Sequence, residues 1–324
     1  MSQDNLGNDR PPSPQPYWSA TSLRSKLGLW PPDMVQHFFV PLVNLRPNEV
    51  IYDVGCGYSP LGNAFLPYLL PDGWVLGLDS DEELVHQANN WSEERGLASH
   101  LSFAQANAYD LGEVTTSPAD LVMCQQLLVN LTDPVIALQE MMHLTKRSGR
   151  ILCVENVNYG AYVARPDLSW RSNLRLSQTW QTLVIAGKWG VDYASTGYGA
   201  NLPRVFQELG LRGVQWRVVS PGTQPKPPYS DDYKTYVRDV LPGENQRLAR
   251  LLRESWGPAS GLPEEEVEFF IAQTYESDHD FVAVEEDRPI TQWFHPFMAI
   301  VGWLWRPPSP PPAESVNVEV QVDL

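Results

Sequence analysis

From residue 50 to residue 155, short β-branched runs alternate with stretches of helical spacing, an order that confines this part of the chain to parallel βαβ units. The runs at 50–54, 74–79, 101–105, 119–124 and 150–155 read as strands. Helix ends punctuate the intervals. Ser80 and Glu83 form a capping box opening a helix to about Arg95, with Gly96 as its stop. Asp133 and Pro134 supply the N-cap and first-turn proline of a helix ending before Gly149. Leu176, Trp180, Leu183 and Val184 then recur at helical spacing, and Asn201 caps a helix whose apolar face carries Leu202, Val205, Phe206 and Leu209. Gly210 ends that helix and 213–219 reads as a sixth strand. Residues 221–290 interrupt the alternation with helical patterns at 245–256 and 264–275, after which 297–305 reads as a last apolar strand. The expected fold class is α/β, a doubly wound, seven-stranded, mostly parallel sheet. Its last strand should run antiparallel, because no crossover helix immediately precedes it.

The flanks of this pattern differ from it in composition. Residues 1–16 and 306–324 are rich in Pro and Ser and are expected to be disordered tails. That leaves one domain at 17–305, with a core at 40–155 and insertions at 156–195 and 221–290. The formal charge of −16 works against a nucleic-acid partner, which needs Lys and Arg to displace counterions. Three cysteines without C-x-x-C spacing suggest neither a disulfide framework nor a metal site. With no signal-peptide pattern and no apolar run of membrane-spanning length, the expectation is a cytoplasmic protein without a membrane partner.

The chemistry begins where the first strand runs into Asp53-Val-Gly-Cys-Gly57. Glycines at 55 and 57 let the backbone bend sharply and approach a ligand closely, although tight strand-to-helix turns need glycine for structural reasons too. About 25 residues on, Asp79 closes the neighbouring strand, where a carboxylate can accept from both hydroxyls of a ribose. A dinucleotide would want a third glycine and a backbone donor for its pyrophosphate, and Pro60 supplies no donor. The acidic Asp53 also argues against phosphates and suits a ligand with a cationic amine and sulfonium.

Five segments in order, Asp53-Val-Gly-Cys-Gly57, Gly77-Leu-Asp79, the run 103–111, the run 119–125 and the run 148–155, resemble the motif series of class I S-adenosylmethionine-dependent methyltransferases over residues 40–155. The resemblance implies a Rossmann-like methyltransferase fold and S-adenosyl-L-methionine as cofactor. It places the turn of Gly55, Cys56 and Gly57 beneath the methionine part, Asp53 toward the amino group, and Asp79 with Ser80 at the ribose. Asn107 and Ala108 frame the adenine, and Gln125 lies near the sulfonium. Ser59 stands where many relatives carry a third glycine, and Asn130 where a His is frequent.

Methyl transfer from a sulfonium is an in-line displacement and dictates no obligatory catalytic residue. A hydroxyl or ammonium acceptor needs a base, for which Glu155, Tyr198 and His143 are the candidates. Against those roles, Glu155 could instead cap a helix or bind backbone amides, and His143, inside a helix, could be structural. The insertions are rich in aromatics, among them Tyr159, Tyr162, Trp170, Trp180, Trp189, Tyr193, Tyr198 and Phe270. These suit either a packed core or a cap over a small, aromatic or apolar acceptor. A protein or nucleic-acid acceptor, or a noncatalytic cofactor-binding relative, are the alternatives. Oligomeric state has no signature in the sequence.

Overall fold

The computed structural model describes residues 23–112, 114, 117–156, 162–184, 198–219, 227–229, 231–290, 292–294 and 297–304. The tails expected at 1–16 and 306–324 lie outside the described residues, as do Tyr159, Trp189 and Tyr193. A seven-stranded sheet is built from β1 (Val50–Val54), β2 (Trp74–Asp79), β3 (Leu101–Gln105), β4 (Ala119–Gln125), β5 (Thr145–Asn156), β7 (Arg212–Val219) and β9 (Phe297–Trp303). Their spatial order is β3-β2-β1-β4-β5-β9-β7. β1 to β5 are parallel, and β9 runs antiparallel to both β5 and β7, as its lack of a crossover helix predicts. Short strands β6 (Tyr162–Ala164) and β8 (Gln292–Phe294) pair antiparallel in a second sheet that the sequence pattern does not announce.

Both faces of the main sheet are covered, which is why β1, β4 and β9 read as nearly unbroken apolar runs. On one face Phe39, Leu61, Phe65, Leu69 and Trp91 pack from the N-terminal helical segment and the helices Pro60–Leu69 and Glu82–Glu94. On the other, Leu138, Met141, Leu202 and Phe206 pack from the helices Pro134–His143 and Tyr198–Glu208. Each fully buried side chain of this size contributes about 1.5–3 kcal/mol. Polar ties lock the amino ends of the strands. Arg150 grips Glu49 in a fork at 2.6 and 3.1 Å, and Asp120 accepts from the Val50 N–H at 2.9 Å.

Two helix starts and one strand start depart from the sequence reading. Asp81, not Ser80, caps the helix Glu82–Glu94, accepting from the Leu84 N–H at 3.1 Å. The helix Pro134–His143 ends before Gly149 as expected, but β5 begins at Thr145 rather than at residue 150, since Thr145 pairs with Ala119 in the sheet and its hydroxyl donates to the Met141 carbonyl at 2.7 Å. Asn201 lies inside the helix Tyr198–Glu208 rather than capping it. Gly210 does end that helix, at φ +81°, with the Leu211 N–H bonded to the Phe206 carbonyl.

The two insertions share one core. Leu176 and Leu183 from the first pack against Trp256, Val267, Phe270 and Ile271 from the second, and Val129, just past β4, joins them. Buried Arg165 ties the segments together through Asp167, the Gln273 carbonyl and Ser277.

Candidate functional site

The strand order reverses between β1 and β4, and the carboxyl ends of the strands there form the crevice where open α/β sheets bind ligands. β1 delivers the chain into three left-handed residues, Gly55 (φ +64°), Gly57 (φ +53°) and Ser59 (φ +49°). A β-carbon on Gly55 would stand 2.5 Å from Leu127 Cδ1, so packing as well as backbone conformation requires glycine there. The amides of Gly55 and Cys56 both donate to the Leu78 carbonyl, at 2.7 and 3.1 Å, which ties the turn to β2. The left-handed conformation at Ser59 explains the glycine of other relatives, since a side chain there costs about 1–2 kcal/mol. The Ser59 hydroxyl offsets this cost by donating to Asp53 Oδ2 at 2.6 Å.

Asp53 is 2% exposed, and its Oδ1 is buried without a hydrogen-bond partner. Burial pushes its pKa up to about 7, against the pull of the Ser59 hydroxyl and with the help of the Asp79 charge. Asp79 Oδ2 accepts from the Gly57 N–H at 2.9 Å and Oδ1 from the Asp81 N–H at 3.2 Å. Burial raises its pKa as well, and those two amides oppose the rise. An ionised carboxylate offers about four lone-pair positions, so two amide bonds leave capacity for ligand hydroxyls.

The remaining residues read from the sequence stand as follows. Ser80 is exposed, and its carbonyl accepts from Gln105. The Cys56 side chain packs inward, its sulfur 2.7 Å from where a β-carbon on Gly77 would stand. Asn107 and Ala108 follow β3 directly, half-buried, with Asn107 Oδ1 accepting from the Tyr109 N–H at 3.0 Å. Gln125 ends β4, and its Oε1 accepts from Trp30 Nε1 at 2.9 Å. Trp30 was not foreseen. It is buried against Phe39 and Phe297, and with Leu23, which lies against Gly57, it brings the N-terminal segment over the turn.

Of the three candidate bases, Glu155 and His143 lie at opposite ends of the sheet. Glu155 is fully buried at the end of β5, and its Oε1 accepts from the Leu127 and Leu128 amides, both at 2.9 Å, so it holds the loop after β4 in place. His143 sits at the C-terminal end of its helix, two residues before β5 begins and at the opposite end of the sheet from Glu155. Its side chain is 74% exposed, and the structure does not bring it to the crevice. Tyr198 begins a helix, and its side chain, like that of Tyr162, lies outside what is described. Of the cap aromatics, Trp180 stacks on Phe270 with ring centroids 5.7 Å apart, inside the shared core of the insertions, and Trp170 is 70% exposed.

This set of residues fits S-adenosylmethionine. A buried carboxylate oxygen lacks a partner beside a turn whose Gly55 and Gly57 carry no β-carbon, and Pro60, first in its helix, has no N–H for a phosphate. Residues 45–197 match a family model described as a methyltransferase domain. The chain is similar to an uncharacterized methyltransferase of Schizosaccharomyces pombe, 33% identical over 34% of this chain and 41% of the relative. It is also similar to the ubiquinone/menaquinone biosynthesis C-methyltransferase UbiE of Ectopseudomonas mendocina, 27% identical over 37% of this chain and 46% of that protein. The chain thus spans less than half the length of these curated relatives. Among solved structures it is similar to the YcgJ protein of Bacillus subtilis, with a TM-score of 0.46 at 17% identity, covering 86% of this chain and 97% of that one. The resemblance to class I S-adenosylmethionine-dependent methyltransferases read over residues 40–155 thus coincides with a match to a methyltransferase-domain family over residues 45–197.

Proposed function

We propose that the protein transfers the methyl group of S-adenosylmethionine to a small, partly apolar acceptor in the cytoplasm. The observation that carries the reading is the buried, unpartnered Oδ1 of Asp53 beside the glycine turn, a carboxyl that a cationic amine would draw into its ionised form. In this reading Asp79 accepts from the ribose hydroxyls while fixing the turn through the Gly57 amide. Asn107 and Ala108 frame the adenine. Gln125, oriented by the Trp30 indole, lies beside the sulfonium. When bound, the cofactor supplies an electrophilic methyl carbon, so the protein's task is to align an acceptor atom at about 3–3.5 Å and exclude water.

Support for a small acceptor comes from charge and from the insertions. The helix Glu264–Thr274 begins with Glu264, Glu265 and Glu266, and the net charge of −16 disfavours a polyanion. Part of that acidity is internally neutralised. Arg175 holds Glu266, and Arg253 holds both Glu268 and Glu276. The insertions pack against Val129, which follows Gln125 closely in the loop that Glu155 holds, and this supports a cap on that side. Asn130 Oδ1 and Asn156 Oδ1 are buried there without a hydrogen-bond partner, which suits an acceptor carrying a donor group. The relative named for quinone biosynthesis is in keeping with such a substrate.

The test is transfer of isotope-labelled methyl from S-adenosylmethionine into a cell extract, followed by separation by size. Label in the small-molecule fraction, lost with Asp79→Ala, is the expected result. Label retained in precipitated RNA or protein overturns the acceptor class, and absence of cofactor binding by calorimetry overturns the activity.

A further inference from the structure

β7 forms one margin of the sheet, and among the described residues no strand pairs with its outer side. Only Val219 at its end is buried. Trp216 is 48% and Val218 54% exposed, and an open groove of about 570 Å³ runs along Val214, Gln215, Trp216, Arg217 and Val218. The opposite margin, β3, keeps Leu101 and Phe103 buried. A long edge strand with apolar side chains and free amides is a template for another strand, and folded chains normally cover or interrupt such edges.

The chain itself carries a segment of matching pattern, at the end of the 306–324 stretch whose composition taken as a whole reads as a disordered tail. Beyond Pro312 the proline-rich composition stops, and Val316, Val318, Val320, Val322 and Leu324 alternate with Asn317, Glu319, Gln321 and Asp323. Period-two alternation of β-branched residues is the signature of a strand with one apolar face. We propose that residues 316–324 add to the outer side of β7 as a further, antiparallel strand of the same sheet.

Direction follows from the spacer. β9 ends at Trp303, the register partner of Arg212 at the start of β7. The 12 steps from residue 304 to residue 316 include five prolines, which stiffen the chain toward about 3.1 Å per residue, or about 37 Å in all. The 8 residues of β7 span about 27 Å. A stiff spacer of that length carries the chain along β7 to its Val219 end, and the strand then returns antiparallel. One register answers both faces of the edge. With Glu319 opposite Arg217, Val318 falls opposite Val218, Val320 opposite Trp216 and Val322 opposite Val214. A slip of one residue would turn the apolar face away, and a slip of two would separate Glu319 from Arg217.

The test uses the full chain, whose three native cysteines are buried. Trp216→Cys is combined with Val320→Cys, on the same face, or with Glu319→Cys, on the other, and oxidised with glutathione disulfide. The expected result is an intramolecular disulfide forming at least about tenfold faster in the first pair, since only that pair meets the bond's geometric demands. Amide exchange in β7 should also be slower by about tenfold in the native chain than in the doubly substituted Val318→Asp, Val320→Asp chain. Equal disulfide rates in the two pairs, or exchange unchanged by the aspartates, overturn the proposal. Disulfides linking two chains, with protection that rises with protein concentration, overturn it in favour of a second copy at this edge.

Discussion

Asp53 makes stability and cofactor binding pull in opposite directions, and the size of the conflict follows from its burial. Its pKa is pushed from 3.8 to about 7, a difference of about 3 units. At about 1.36 kcal/mol per unit, ionising it in the cofactor-free protein costs about 4 kcal/mol. At 2% exposure solvent gives it little relief. Because the folded value lies above the unfolded one, the group's contribution to stability is complete below 3.8 and is lost as pH rises through about 7. Asp53→Asn removes this titration and keeps an oxygen for the Ser59 hydroxyl. In the cofactor-free protein the variant should gain on the native chain by up to about 1.4 kcal/mol per pH unit across that window, to about 4 kcal/mol above it.

Binding a cation reverses the preference. S-adenosylmethionine favours the ionised carboxylate, so binding should release a proton below about pH 7 and tighten as pH rises toward that value. The substituted protein should lose both the proton release and most of the affinity. Urea unfolding at a series of pH values measures the first effect, and calorimetry in buffers of differing ionisation enthalpy measures the second. A stability difference between the two proteins that stays flat from about pH 5 to 8 would refute the reasoning, because any constant packing cost of the amide cancels in the slope.

Two further substitutions test the turn and its neighbour. Ser59→Ala should cost about 1.5–3 kcal/mol by removing the hydroxyl from Asp53, whereas Ser59→Gly should cost about 1–2 kcal/mol less, because it relieves the φ of +49°. Equal urea midpoints for the two would show that the left-handed backbone carries no strain. Glu155→Ala should cost about 2–4 kcal/mol by stripping the Leu127 and Leu128 amides of their acceptor. Glu155→Gln keeps an oxygen for both amides and should hold turnover within about tenfold. A much larger loss in a protein that melts normally would make Glu155 the base.

What the sequence disclosed and what it hid separate along a physical line. β1 and β9 were legible because a strand covered on both faces must be apolar throughout, and that demand is written in consecutive residues. The turn was legible for the same reason, since left-handed backbone at positions 55 and 57 calls for glycine whatever lies around it. Asp81 displaced Ser80 as a helix cap within one residue because both types can cap, and only the exit angle of β2 decides between them. The Trp30–Gln125 bond spans 95 residues, and nothing local to either residue requires it. The cap aromatics are ambiguous for a different reason. An aromatic ring satisfies a core and a pocket equally well, so a run of them fixes only that something is buried. Trp180 and Phe270 found each other. Composition therefore constrains how much apolar surface the insertions must hide, while the choice between hiding it in themselves and presenting it to an acceptor depends on the packing of two segments far apart in sequence. That choice is the one on which acceptor specificity turns, and it explains why the cofactor half of the site is readable from residues 50–125 while the acceptor half is not.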